Sequence, residues 1–409
     1  MNKKKIINDP LYGFINISSE LIFDIIETPV FQRLRRINQM GLADFVYPGA
    51  LHTRFHHALG AMHLMSRTLD NLRDKGNDIS SKEYESALIA ILLHDIGHGP
   101  FSHSLENVLM QNISHEEISL QLMQRLNKTF NGALTMALEM FTDNYPRPFF
   151  HQLISSQLDV DRLDYLNRDS FFTGVSEGTI GAERIIKLLS VVDDEIVVEE
   201  KGIYSVENFL NARRLMYWQV YLHKTGLAAD KMLVKIIERA RYLIKNGHEE
   251  YMLNSTIGYH LGKGLKTSST SITSSTLDDF SNLDDHDVWC AIKQWKNSND
   301  KILAYLSSSF INRKLFKIKL ANTRKETNHQ EVIGNLKART KLNSADLGFL
   351  YEEGKVSNAG YIKTSQKIKM LKKTGEVINI EEATDLPNIK AMSRIVSKSY
   401  ICWANEVIL

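Results

Sequence analysis

The sequence predicts a mainly α-helical protein with a short β-hairpin and a smaller, mixed α/β C-terminal part. Three observations carry that prediction. From Ser18 to about His260 the apolar residues recur at helical spacing. A stretch rich in Ser, Thr, Gly and Lys, Gly262 to Thr276, then breaks the pattern as a flexible loop or linker does. Beyond it, β-branched and aromatic runs lie among charged loops. The expected division is a helical unit over residues 1–261, a linker over 262–276 and a mixed α/β region over 277–409, and 409 residues suffice for one large or two unequal cores.

Within the first unit, Leu59, Met62 and Leu64, then Ala87, Ile91 and Leu92, mark helix faces. Breakers at Pro48-Gly49, Gly97 to Pro100, Pro146 to Pro148 and Gly174 to Gly181 divide it into helices of medium length. Ile196–Val198 and Ile203–Val206 flank Glu199–Gly202 as the strands of a hairpin. In the last part, Leu277 to Leu306 is predicted helical, and Phe316–Leu320, Leu347–Tyr351 and Val377–Ile380 are predicted strands. There is no internal repeat and no sustained heptad pattern.

Lysine plus arginine total 50 against 48 acidic residues, so the chain lacks the charge of a dedicated nucleic-acid coat. Basic runs such as Arg313 to Lys319 suit a solvated face. The two cysteines, Cys290 and Cys402, stand far apart, which excludes a disulfide scaffold and fits a reducing compartment, the cytoplasm. Asn8, Asp9 and Pro10 cut off any secretory h-region, and the apolar run Leu88 to Leu93 ends at His94-Asp95, far short of the roughly 20 residues that span a bilayer.

His94-Asp95, at the end of an apolar helix and followed by Ile96-Gly97-His98-Gly99-Pro100, is the central chemical feature. A buried imidazole beside a buried carboxylate is costly unless both are paired or bound to metal. The doublet alone is weak, because His286-Asp287 repeats it inside the acidic, surface-like run Leu283 to Trp289. The first doublet has company, however: Arg54, His57, His98, His103, His115 and Asp161 lie in segments able to converge on it. Arg54 and His57 share a helix face, although His56 and His57 taken singly suit a core surface equally well. Asp161, Tyr165 and Asp169 recur every four residues and form one stripe able to ligate metal and hold a sugar, while Asp159 and Asp164 are expected on a solvated acidic face. His115-Glu116 suits a tuned general acid or, equally, a helix-start pair, and His248-Glu249 in a polar loop suits neither metal nor catalysis.

From Lys5 to about Lys224 the chain resembles the HD-domain deoxynucleoside triphosphate triphosphohydrolases, particularly the branch of the human sterile-alpha-motif and HD-domain protein. The ordered motifs that carry the resemblance are Ile7-Asn8-Asp9-Pro10, Thr28-Pro29-Val30-Phe31-Gln32-Arg33-Leu34-Arg35, Phe55-His56-His57, His94 to His103 and Asp159-Val160-Asp161-Arg162. The resemblance implies an HD-domain helical core in which His57, His94, Asp95 and Asp161 ligate a divalent ion, whether Fe, Mn, Zn or Mg. It implies that His98, His103 and His115 line the reaction centre, with His115 as the general acid supported by Glu116, and that Arg54 neutralises phosphate charge. Gln39 then excludes ribose, Tyr165, Asp169 and Tyr221 lie at the sugar, and Arg162 and Arg214 contact phosphates, Arg162 replacing the family's usual Lys.

The same resemblance implies activation by a nucleotide, GTP or a deoxynucleotide, bound between the subunits of a dimer or tetramer. Lys5, Ile6, Glu27, Gln32 and Arg35 match its pocket, with Glu27 where the human relative has Asp. In a second regulatory pocket Arg184 and Lys224 persist while Glu199 stands where a basic residue is expected. No sterile-alpha-motif domain is expected ahead of Lys3. The implied reaction is attack of water on the α-phosphorus, giving deoxynucleoside and triphosphate. Two alternatives share the metal set: a phosphohydrolase of a monophosphate, cyclic dinucleotide or alarmone, and a nucleotide sensor without turnover.

Overall fold

The computed structural model describes residues 5–110, 113–266, 273–358, 367–384 and 396–405. They form a mainly helical molecule with three small sheets. An N-terminal hairpin pairs Lys5–Asp9 with Gly13–Ile17, placing Asp9 opposite Gly13. It buries Ile15 and Ile17 against the first of two hydrophobic cores.

Four of its helices frame the site. Arg54–Asp74 starts where the His56 ring accepts a hydrogen bond from the Thr53 N–H, and it buries Ala58, Ala61, Met62, Met65 and Leu69. Ser81–Leu93 starts at a capping box of Ser80 and Glu83, and every residue from Ser86 to Leu93 is buried. Val160–Thr173 is capped by Asp159, which accepts from the Arg162 and Ser156 N–H groups, and it ends at Gly174 in the left-handed conformation. Ile203–Met216 closes the core. The second core gathers the helices Lys224–Lys245, Asp285–Trp295 and Lys301–Ile311 under an antiparallel sheet in which Val396–Trp403 lies between Lys317–Ala321 and Tyr351–Asn358.

The expected hairpin exists but is displaced. Leu189–Val192 pairs with Glu195–Glu199 across Asp193-Asp194, both at positive φ, whereas the run Ile203–Val206 opens a helix. The hairpin also continues into the C-terminal part: Glu195–Glu199 pairs in parallel with Lys369–Leu371, which pairs with Val377–Asn379. Leu277, Phe280, Ile368, Met370 and Ile380 join the first core, and Leu42 and Phe101 join the second, so the two cores interleave the sequence. The stretch expected to be a flexible linker over 262–276 is instead helical at both ends, where Thr256–Lys266 runs into it and Ser274–Ser281 starts inside it, and residues 267–272 lie outside those described. The strand expected at Phe316–Leu320 forms one residue later; near Leu347–Tyr351 a helical turn, Ser344–Leu347, comes first and the strand starts at Tyr351. Among the described residues no helix is long and apolar enough to cross a membrane.

Candidate metal centre and its cavity

Three elements bring His57, His94, Asp95 and Asp161 together. His57 sits on the first turn of Arg54–Asp74, His94-Asp95 ends Ser81–Leu93, and Asp161 sits on the first turn of Val160–Thr173. The His57 Nδ1–H donates to Asp164 at 2.7 Å, and the His94 Nδ1–H donates to the Ile91 carbonyl at 2.6 Å. An ionised carboxylate and a carbonyl only accept, so in the neutral rings both Nε2 atoms carry lone pairs. Those Nε2 atoms are buried without a well-formed hydrogen bond. They face Asp161 Oδ1 at 3.0 and 3.4 Å, and Asp95 lies 3.7 Å from His57 and 3.4 Å from His94. Two orphaned imidazole nitrogens converging on a carboxylate suit a divalent ion, and His57, His94 and Asp161 fit one, with Asp95 beside them. Burial opposes charge on each, but their mutual contacts prevail. His57 rises to about 10, His94 rises, and Asp95 and Asp161 fall below the ordinary carboxylate range.

The turn after His94 is held from both sides. A Cβ on Gly97 would lie 2.2 Å from the His115 carbonyl and 2.4 Å from the Ser119 nitrogen, so only glycine lets the helix His115–Thr129 pack there. The fully buried Arg33 donates to the carbonyls of Ile96, His98 and Leu283, and burial lowers its pKa to about 10. Arg33 stands in a motif, yet nothing local signals this role, because its partners lie 63 to 250 residues away. Phe101 and Ser102 adopt left-handed backbone, and Asp285 holds this loop by accepting from the N–H groups of Phe101 and Asn38. The acidic run Leu283 to Trp289 is thus not merely surface. Asp284 and Asp285 are buried, Asp284 pairs with Arg36, and the environment of Asp285 pushes its carboxyl up to about 6 because burial outweighs its two hydrogen bonds.

Beside the cluster, His98 stacks on His115 with centroids 3.9 Å apart, and His103 meets both rings edge-on. The carboxylate that organises them is Glu106, whose two oxygens take His115 Nδ1 at 2.7 Å and His103 Nδ1 at 3.0 Å. Burial would raise Glu106, but those two imidazoles hold it well below the usual range. This corrects the expectation for Glu116, which is exposed on the first turn of its helix and lies outside the cavity. Arg54 pairs with Asp95 and donates to Ser102 Oγ at 2.9 Å.

A cavity of about 380 Å³ opens from these groups, lined by Gln39, Arg54, Asp95, Asp161, Arg162 and Tyr165 and running to Asp169 and Tyr221. The Gln39 Oε1 and Arg162 Nε are buried without partners. Asp169 accepts from the Tyr221 hydroxyl and meets His52 Nε2, each at 2.7 Å. His52, buried and stacked on Phe172 with centroids 4.5 Å apart, escaped the sequence reading because no motif marks it. Arg214 is half-buried and does not line the cavity. Asp159 and Asp164, expected on a solvated face, are buried: Asp159 caps its helix and pairs with Arg162, and Asp164 is bound by His57 and Arg168. Lys5, Ile6, Glu27 and Arg35 are exposed; Lys5 covers Phe23, Arg35 covers Phe55, and Gln32 bridges Arg35 to the Ile26 carbonyl. Glu199 pairs with Lys75 and Lys201.

Comparison with known proteins agrees with this geometry. The HD domain matches residues 54–169 and the HD associated region residues 180–255. A phosphohydrolase of Bacteroides thetaiotaomicron is 46% identical in its crystal structure, superposes with a TM-score of 0.91 and is covered over 100% of its chain, against 98% of this one. YwfO of Bacillus subtilis is 36% identical over 77% of this chain and 72% of its own. The Dictyostelium discoideum homologue of the deoxynucleoside triphosphate triphosphohydrolase SAMHD1 is 30% identical over 59% of this chain and 50% of its own length. The residues that converge on the metal centre, and the relatives that share their framework, place this chain in the HD-domain phosphohydrolase family.

Proposed function

We propose that the chain hydrolyses deoxynucleoside triphosphates to deoxynucleoside and inorganic triphosphate. One observation carries the reading: a single cavity joins the His–Asp cluster to a wall of Tyr165, Asp169 and Tyr221, with Gln39 at its edge. A bare phosphatase has no use for such a wall. The relative in Dictyostelium discoideum, named for this reaction, adds support.

His57, His94 and Asp161, with Asp95 beside them, would hold the metal, which would supply polarisation of phosphate and acidification of water. Arg54, fixed by Asp95 and Ser102, and Arg162 place positive charge for the triphosphate. Water adds to the α-phosphorus as the bond to the 5′ oxygen breaks. His115, anchored through Nδ1 on Glu106, delivers a proton to that oxygen and recovers one from the attacking water. Burial and the charge of Arg54 keep His98 neutral against the His115 ring. Asp169 accepts from the 3′-OH, and Gln39 with Tyr165 crowds the 2′ position, which discriminates against ribose. Lys5, Ile6, Glu27, Gln32 and Arg35 are assigned to an activating nucleotide, GTP or a deoxynucleotide, in a dimer or tetramer.

Incubation of the metal-replete protein with each deoxynucleoside triphosphate, alone and in pairs, tests this by chromatography of the products. Deoxynucleoside plus intact triphosphate, with faster turnover in some pairs, is expected. Release of single phosphates, or turnover only of a monophosphate, cyclic dinucleotide or alarmone, transfers the site to the alternative phosphohydrolase. Binding without products makes the chain a sensor.

A further inference from the structure

We propose that Asp9, Arg168 and Asp164 form a positioning relay that orients the metal ligand His57 from the N-terminal hairpin, so that the hairpin is part of the metal centre. The inference rests on His57 being a ligand.

The contacts run unbroken. Asp164 Oδ2 meets His57 Nδ1 at 2.7 Å and Arg168 Nε at 2.9 Å, and its Oδ1 accepts from Arg168 Nη2 at 2.9 Å. Arg168 Nη1 reaches Asp9 Oδ2 at 2.8 Å. Asp9 Oδ1 accepts from the N–H groups of Leu11 and Tyr12, both at 2.9 Å, at the hairpin turn. Asp164 and Arg168 are 0% exposed and Asp9 6%. The helix Arg54–Asp74 leaves room for this passage: a Cβ on Gly60 would lie 2.1 Å from both Asp164 Oδ1 and Arg168 Nη2. The Tyr12 ring covers the guanidinium, 5.4 Å from its centroid.

A buried chain of ions is a poor choice for stability alone, because well-packed apolar residues serve as well or better. What an apolar trio cannot do is fix a tautomer. Here the relay ends on His57 Nδ1 and points the Nε2 lone pair at the cluster, as partners outside the ligand shell do in metal sites. A shift of the strand Lys5–Asp9 therefore reaches His57 through three side chains.

The test is a calorimetric Mn²⁺ titration of the metal-stripped, full-length protein at a temperature where circular dichroism shows every variant folded. Asp9→Asn is expected to weaken Mn²⁺ binding roughly tenfold, the range for such outer partners, and Asp9→Glu, which keeps the charge, to weaken it less. In an Asp164→Asn background, where the relay is already cut, Asp9→Asn is expected to change nothing further. Wild-type affinity in both Asp9 variants, or equal losses in the two backgrounds, overturns the relay while leaving the metal site intact. Wild-type protein that shows no Mn²⁺ binding sensitive to His57→Ala overturns the metal reading itself, and the relay with it.

Discussion

The dipeptide His-Asp occurs twice in this chain with opposite fates. His94-Asp95 closes an apolar helix, where both side chains are buried and the His94 Nε2 is left without a hydrogen bond. His286-Asp287 opens a helix: His286 is exposed, and Asp287 accepts from the Asp284 N–H in a capping box. A carboxylate on a first turn is satisfied by backbone N–H groups and the helix dipole and needs no metal. At a helix end the dipole is reversed, so Asp95 depends on Arg54 and three imidazoles. The identical pair is therefore chemical in one place and architectural in the other, and the difference lies in what converges on it.

The largest expected effect breaks the first pair. His94→Ala or Asp95→Ala should lower turnover by on the order of 10³-fold and strip bound metal, read by product chromatography and elemental analysis. His286→Ala should leave both at the wild-type level, and if it abolished them the two doublets would not differ as described.

A subtler effect comes from Asp285, beside the second doublet yet holding the loop after the first. Its folded carboxyl titrates near 6, against 3.8 for an ordinary aspartate, so the native state holds the proton more tightly. The resulting stability is full below about 4 and is lost as pH rises through about 6. Urea denaturation from pH 7.5 down to 5 should show wild type gaining roughly 1.4 kcal/mol relative to Asp285→Asn, about one pH unit of linkage. Parallel curves would place the titration elsewhere. The smallest effect sharpens the architectural role of the second pair: Asp287→Ala should cost about 1 kcal/mol of stability through its lost capping bond, with metal content unchanged.

The convergence of His57, His94, Asp95 and Asp161 was legible in the sequence, because they stand in ordered motifs and each falls at a helix end where its element positions it. What escaped was set by distance in the chain or by burial on a second face. Glu116 adjoins His115 in sequence, but Glu106 reaches its ring because a loop separates the two. Asp164 and Arg168 are four apart, a spacing that equally describes a solvated helix stripe; here Val160–Thr173 is covered on both faces, so that stripe is buried too. The hairpin slipped because its turn is Asp193-Asp194 at positive φ without a glycine, and because packing made a helix of the β-branched run from Ile203.

The parallel pairing of Val198 with Met370 bears on how the protein is made. The partner strands lie 172 residues apart (370 − 198), so at roughly 5 to 20 residues per second a ribosome needs roughly 9 to 34 s after releasing one strand to supply the other. Throughout that interval Glu195–Glu199 presents an unpaired edge, and Asp285 reaches the loop that carries His98 and His103 only partway through it. The nascent catalytic half must therefore wait for its C-terminal residues, and a chain interrupted before residue 369 leaves the ribosome with an open sheet.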